Sequence, residues 1–321
     1  MAYLLSPVVA WLSSKNFPLT QKKIPWSFAT LVVYFLAVGI FSALLLLLVP
    51  LLFAQIEQLA SSFPIYLQNA ENSFEKLKIW YVKLHIPPSV EANLKLFGKS
   101  ILEKTIPVLS SIGVHLVGGM LDVVAAFFVF LSAFLVSLYI VLDEKNIKSH
   151  FLEIFPKSWQ EDTEELMINV GHVVGAFIRG EIVVSFIAGA ASYFALLLLK
   201  LAGIQFQYAL LSGTLIAFLY PIPFIGVWLP RLLIPMLAYF QLGNGLFAIL
   251  IFGALTGVGI VVDNVVLPAV MGKGVGISPL IVLLAIFAGG ELFGIWGLIL
   301  GVPAAAVLRL IFLYLQKRIT I

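Results

Sequence analysis

The distribution of charge along the chain narrows its possible folds more than any other feature. Of 19 Lys and Arg and 16 Asp and Glu, three fall in residues 13–27, eleven in 54–115 and twelve in 143–181, leaving nine for the rest of the 321 residues. Between these hydrophilic segments run 28–53, 116–142 and 182–199, apolar and almost free of charge. At about 1.5 Å per helical residue, each run crosses or nearly crosses a hydrocarbon core of about 30 Å. A soluble fold is excluded by quantity: 61% of the residues are hydrophobic and 11% charged, against about 45–50% and about 25% in an ordinary soluble domain. The pattern predicts an all-α, polytopic membrane protein with transmembrane helices at 28–53, 116–142 and 182–199.

Residues 1–12 are apolar but too short to span, and they lack the basic start and cleavage site of a signal peptide. They read as the end of an N-terminal hydrophobic helix that begins earlier, or alternatively as an interfacial anchor. Basic residues in short loops set the orientation. Lys15, Lys22 and Lys23 in the loop 13–27, Lys145, Lys148 and Lys157 in 143–181, and Lys317 and Arg318 in the tail 315–321 place these segments in the cytoplasm. Residues 54–115 are then extracytoplasmic. That segment repeats apolar positions at Phe74, Leu77, Tyr81 and Leu84 and again at Leu94, Phe97 and Ile101, the spacing of an amphipathic helix that lies on a membrane, packs in an oligomer or caps the bundle. Leu166, Val170, Val173 and Phe177 form a similar stripe in 143–181, where Gly171 and Gly175 have the spacing of a close helix contact.

The C-terminal half is interrupted. Residues 207–241 contain Tyr220-Pro221-Ile222-Pro223-Phe224-Ile225-Gly226, then Pro230, Arg231 and Pro235, which no straight helix accommodates. Two half-helices that leave and return to one side are expected, followed by a span at 244–267. A second broken hairpin is expected at 278–314, with its turn at Gly289-Gly290-Glu291 and a thin face at Gly294, Gly297 and Gly301.

No Cys is present, so disulfides, thiolate metal sites and a thiol nucleophile are excluded. Motifs for zinc proteases, P-loop nucleotide binding, serine hydrolases and dinucleotide binding are missing. His85, His115, His150 and His172 show no ligand-like pairing. Enzymatic activity, a cofactor, a metal and a nucleic-acid partner are therefore not expected. The candidates for chemistry are polar groups beside apolar runs, where an ionisable side chain carries a free-energy cost that function or a partner must offset. Asp263 and Asn264 come first, as a cation or proton site or as a helix end. Arg179 and Glu181 flank Gly180 and are placed to pair with each other or with Asp263. Glu291 and Arg231 lie at the two breaks, where each is able to reach water, and Asp122 and Asp143 read as interfacial. Backbone groups freed at a bend must face protein, water or solute, and secondary transporters use discontinuous helices for that purpose. Pro221, Pro223 and Gly226, with Gly294 and Gly297, are accordingly expected to line a transport path.

Taken in order, Ala2-Tyr3-Leu4-Leu5-Ser6-Pro7, Tyr139–Asp143, Ile178-Arg179-Gly180-Glu181, Tyr220–Gly226, Asp263–Pro268, Met271–Pro279 and Phe293–Pro303 resemble the autoinducer-2 exporter family of bacterial membrane proteins. The resemblance covers nearly the whole chain. It implies a multi-pass protein of the bacterial inner (plasma) membrane with about eight hydrophobic segments, a homo-oligomer in contact with membrane lipid. Family members generally carry a further hydrophobic helix before the Ala2 motif, often Gln at the position of Glu181 and often His at that of Ser278. Some are associated with export of autoinducer-2 and others with exchange of sodium or lithium for protons. The expectation is a secondary transporter or exporter of a small polar solute. A Na+(Li+)/H+ antiporter using Asp263 or Glu181 is the alternative within transport, and a non-transporting scaffold or regulatory assembly is the alternative outside it.

Overall fold

The computed structural model describes residues 2–16, 23–82, 96, 125, 127–271 and 278–319. All its regular elements there are helices: α1 (Ala2–Ser13), α2 (Trp26–Val82), α3 (Phe127–Leu142), α4 (Glu144–Glu153), α5 (Lys157–Leu201), α6 (Ala209–Leu219), α7 (Ile225–Leu242), α8 (Gly245–Val261), α9 (Leu267–Met271) and α10 (Pro279–Ile319). A π-helical turn, Val262–Val266, joins α8 to α9. Among the described residues five helices are long and apolar enough to cross a membrane, or six if the bent pair of α3 and α4 forms one span. The protein is an all-α polytopic membrane protein. Leu84, Leu94, Phe97, Ile101, Asp122, His85 and His115 lie outside the described residues.

α5 is the centre of the bundle, packing against α1, α4, α6, α8, α9 and α10. Its buried face is built of small residues, Gly175, Gly180, Ser185, Ala188, Gly189 and Ser192. α5 and α6 approach closely at Gly189, where an added Cβ would stand 2.6 Å from the Gly213 carbonyl of α6. Small residues let helix backbones approach this closely, and van der Waals packing is the main attraction available where lipid is as apolar as the side chains. Around this seam the core gathers Val184, Leu196, Ile216, Ile234, Ile251 and Leu255, while Phe35, Phe186 and Phe218 project outward.

α2 differs from the expected boundary at residue 53. The helix runs on to Val82, because the sequence after the apolar run offers Ala, Gln, Leu and Glu, all good helix formers, and Pro50 and Pro64 are accommodated within it. The extension is bonded to the bundle. Gln55 Oε1 accepts from the Leu211 amide at 2.8 Å, Gln58 Nε2 donates to Gln207 Oε1 at 2.7 Å, the Tyr66 and Tyr208 hydroxyls lie 2.9 Å apart, and Asn69 Nδ2 donates to the Phe240 carbonyl at 2.9 Å.

α6 and α7 form the expected broken unit. Their far ends meet: Gln241 Nε2 donates to the Gln205 carbonyl at 3.2 Å, and the Gln207 amide donates to Gln241 Oε1 at 3.4 Å. The unit is therefore a helical hairpin whose apex is Tyr220–Phe224. With 11 residues, α6 is about 16 Å long, too short to cross a bilayer alone.

α10 is a second hairpin, but its turn is not at Gly289-Gly290-Glu291. The chain reverses at Gly294, where φ is 59° and ψ is −138°, a conformation that essentially only glycine adopts. Gly289 sits in the first arm with its backbone against Gly297, and a Cβ on Gly301 would meet the Ala285 carbonyl at 2.6 Å. The glycines thus serve the packing of arm on arm. The first arm, 279–293, is about 22 Å long and stops short of a full crossing.

Candidate functional site

Three local irregularities converge on one point. The first is the hairpin apex, where Pro221 and Pro223 supply no N–H and Phe224 takes φ 63° and ψ −51°. The Ile225 amide donates to the Pro223 carbonyl at 2.7 Å, closing a γ-turn with positive φ, which is rare and strained for a bulky residue. The amides of Ile222 and Gly226 donate to Leu219 and Ile222 carbonyls at 2.9 and 2.8 Å. The amides of Ile222, Ile225 and Gly226 are thus satisfied within the turn.

The second irregularity is the π-helical turn, which holds Asp263. Leu267 N–H reaches back to the Val262 carbonyl, the wider spacing of a π-turn, a feature frequent at functional sites. Pro268 has no amide to continue the α-helical ladder through this stretch. Asn264, next to Asp263 in sequence, turns to its own helix. Its Nδ2 donates to the Ile260 carbonyl at 2.8 Å, a bond within its own helix.

The third is a buried arginine. Sequence reading left Arg231 able to reach water, but its side chain is only 11% exposed. Its guanidinium lies over Gly259, whose missing Cβ makes the space, and 5.8 Å from the Trp228 ring centroid. A buried cation needs an anion close by, and Asp263 provides it: Arg231 Nη2 donates to Asp263 Oδ2 at 3.3 Å, while the Tyr220 hydroxyl donates to Oδ1 at 2.6 Å. One carboxylate thus joins the apex, α7 and the end of α8. Its own side chain is 35% exposed, so the network has a dry side and an open one. Beneath it lies a cavity of about 20 Å³, lined by Ser192, Tyr220, Gly226, Arg231 and Gly259, with room for one water-sized group.

Glu181 is half-buried on α5. Next to it, Gly180 packs against Met271 of α9. Arg179 is half-buried one turn-edge away, and the ion pair drawn to Asp263 comes from Arg231. Pro221 and Pro223 shape the apex, and Gly226 lines the cavity because a Cβ there would run into the Leu219 carbonyl. Glu291, Gly294 and Gly297 are not part of this cluster. They belong to the α10 hairpin, where Glu291 is exposed among Leu292, Phe293 and Trp296. Among the described residues no group of three His, Asp or Glu is arranged to hold a metal ion.

A buried Arg, a half-open Asp and a Tyr hydroxyl form a polar cluster at the meeting of two broken segments. The profile of the AI-2E family of transporters matches residues 1–317. The chain belongs to the AI-2E transporter family. Within the wider set of relatives, YrrI of Bacillus subtilis, named as a transport protein, is 26% identical over 326 residues, covering 99% of this chain and 84% of YrrI. YueF of the same organism, named likewise, is 23% identical over 347 residues, covering 99% of this chain and 89% of YueF. The AI-2 transport protein TqsA of Escherichia coli is 32% identical over 111 residues, 34% of this chain and 32% of TqsA. As a member of the AI-2E family, the chain is a secondary-transporter-like membrane protein. Tyr220 and Arg231 are the functional candidates that sequence reading undervalued. The available signal was their position: each is a polar side chain beside a proline within an apolar run.

Proposed function

We propose that this AI-2E family member exports a small polar solute of the autoinducer-2 kind, and that the Tyr220–Asp263–Arg231 network is the gate of its path. The observation that carries this reading is the single carboxylate held at once by the hairpin apex and by a buried arginine. Each bond is one that a hydroxylated or anionic solute competes for. Opening requires only that the apex part from the π-turn, and both segments already depart from regular helix. The family and the relatives named for transport support the same reading. On this reading the protein works as a homo-oligomeric transporter of the bacterial inner membrane and not as an enzyme.

Exchange of Na+ or Li+ for protons is the second reading. It is favoured by two carboxylates in the membrane-crossing bundle, Asp263 on the π-turn and the half-buried Glu181 on α5, the helix packed against that turn.

Proteoliposomes loaded in parallel with autoinducer-2, Na+ and Li+, under an imposed pH gradient, separate the readings. Solute efflux that needs no cation supports the exporter, and cation-dependent collapse of the gradient supports antiport. Absence of both fluxes favours a scaffold. If Asp263→Asn and Pro223→Ala both leave flux unchanged, the gate assignment is wrong.

A further inference from the structure

The break between α3 and α4 carries an inference independent of the gate. α3 and α4 meet at an angle of 71° across the single residue Asp143. Two contacts fix the depth of the bend. The Trp26 indole N–H donates to the Val141 carbonyl at 3.2 Å, and the Tyr34 hydroxyl lies 2.7 Å from Ser137 Oγ. Trp26 begins the membrane-crossing stretch of α2, and tryptophan at the end of a span is characteristic of the membrane–water interface. The end of α3 is bonded to that residue and therefore lies at the same level. The bend itself is held by Asn146 Nδ2, which donates to Asp143 Oδ1 at 2.6 Å.

α4 thus starts at the membrane boundary. With α3 along the bilayer normal, its axis lies within about 20° of the membrane plane, and an average tilt of α3 changes this by a similar amount. The helix has three faces. Lys148 and Leu152 turn toward α5, with Lys148 Nζ bonded to Glu164 Oε1 at 2.6 Å. Asn146, Ser149 and Glu153 form a polar exposed face. Ile147, Phe151 and Ile154, at the i, i+4, i+7 spacing that shares one side of a helix, form an exposed face that is apolar beyond Glu144 in the first turn, with Ile154 75% exposed.

We infer that α4 is an interfacial helix whose Ile147–Phe151–Ile154 face is seated in the headgroup–acyl boundary of the bilayer. The occupant is lipid because α4 follows directly on α3, a helix that itself exposes Phe128, Leu135, Val136 and Tyr139. A short helix with an apolar face and an opposite polar face at that depth buries its apolar side by lying in the interface. Trp159, exposed in the first turn of α5, adds an aromatic of the type found at headgroup level. Through the Lys148–Glu164 pair, α4 then braces α5, the central helix, against the membrane surface.

The natural absence of Cys allows a direct test on the full chain. Ile147→Cys, Phe151→Cys, Ile154→Cys and, on the polar face, Ser149→Cys are each labelled with an environment-sensitive fluorophore and reconstituted into vesicles of phosphatidylethanolamine and phosphatidylglycerol. Labels at 147, 151 and 154 should emit to the blue of the label at 149. They should be quenched by a nitroxide on the upper acyl chain and protected from aqueous iodide. Iodide quenching at those three positions equal to that at 149 overturns the inference. Protection from both iodide and lipid nitroxide also overturns it, because protein then covers the face.

Discussion

The Tyr220 hydroxyl donates to Asp263 Oδ1 at 2.6 Å, tying the apex of the α6–α7 hairpin to the π-turn at the end of α8. Along α8 this tie lies about 27 Å from Gly245, close to one hydrocarbon thickness from the hairpin base. The base is bonded to α2 by four polar side chains. The apex end is joined to Asp263 by the tyrosine and the Arg231 ion pair, and these bonds close the candidate gate.

Tyr220→Phe keeps the ring and removes one hydrogen bond to a carboxylate. Such bonds contribute about 1.5–3 kcal/mol, so the closed state should lose roughly tenfold or more in population relative to the open one. The expected outcome is a raised passive leak in proteoliposomes without loss of folded protein. An unchanged leak would show that the bond does not hold the path shut.

Arg231 and Asp263 should behave as a coupled pair. Arg231→Met and Asp263→Asn each leave one group without its partner, and the double variant removes both. Coupling of about 0.5–3 kcal/mol is expected from unfolding of the four proteins in detergent. Additive effects would mean that the 3.3 Å pair contributes nothing to the fold.

Gly259→Ala should displace Arg231, because the new methyl would occupy the place of the guanidinium. Overpacking of this kind costs about 1–3 kcal/mol, and because the displaced Arg231 no longer holds Asp263, the passive leak should rise as for Tyr220→Phe. Gly257→Ala, two residues away with no atom within 4 Å of the added Cβ, is the matched control and should retain wild-type flux and stability. Equal behaviour of the two variants would contradict the placement of Arg231.

Gly294→Ala should destabilise the α10 hairpin by about 1–3 kcal/mol, since φ 59° with ψ −138° is closed to a residue with a Cβ. Gly253→Ala in α8 meets nothing within 4 Å and should be neutral or slightly stabilising through its better helix propensity. Melting temperatures in detergent compare the two. A neutral Gly294→Ala would return the turn to the Gly289–Glu291 position read from the sequence.

The chemistry of the candidate site was partly legible. Asp263 stood out because it is an acid beside a long apolar run, and the prolines of 221 and 223 announced a break. Arg231 was visible too, but one-dimensional reading could not tell a lysine-like reach into water from burial over Gly259. That distinction depends on which helix lies opposite. Asn264 illustrates the converse: adjacent to Asp263 in sequence, it turns to the Ile260 carbonyl of its own helix, because successive side chains on a helix point about 100° apart.

At the level of the whole chain, the sequence by itself determined that this protein is a helical membrane protein with interrupted segments in its second half. Hydrocarbon offers no partners for backbone polar groups, so long uncharged runs become helices and clustered prolines become breaks wherever they occur. Only the tertiary structure decided where the broken ends go. It carried α2 past residue 53 onto the base of the hairpin, moved the α10 turn from Gly289 to Gly294, and brought Tyr220, Arg231 and Asp263 from three segments onto one carboxylate. Those outcomes depend on contacts between residues far apart in sequence, where close glycine packing and the need of a buried arginine for an anion select one arrangement among the many that the same local pattern permits.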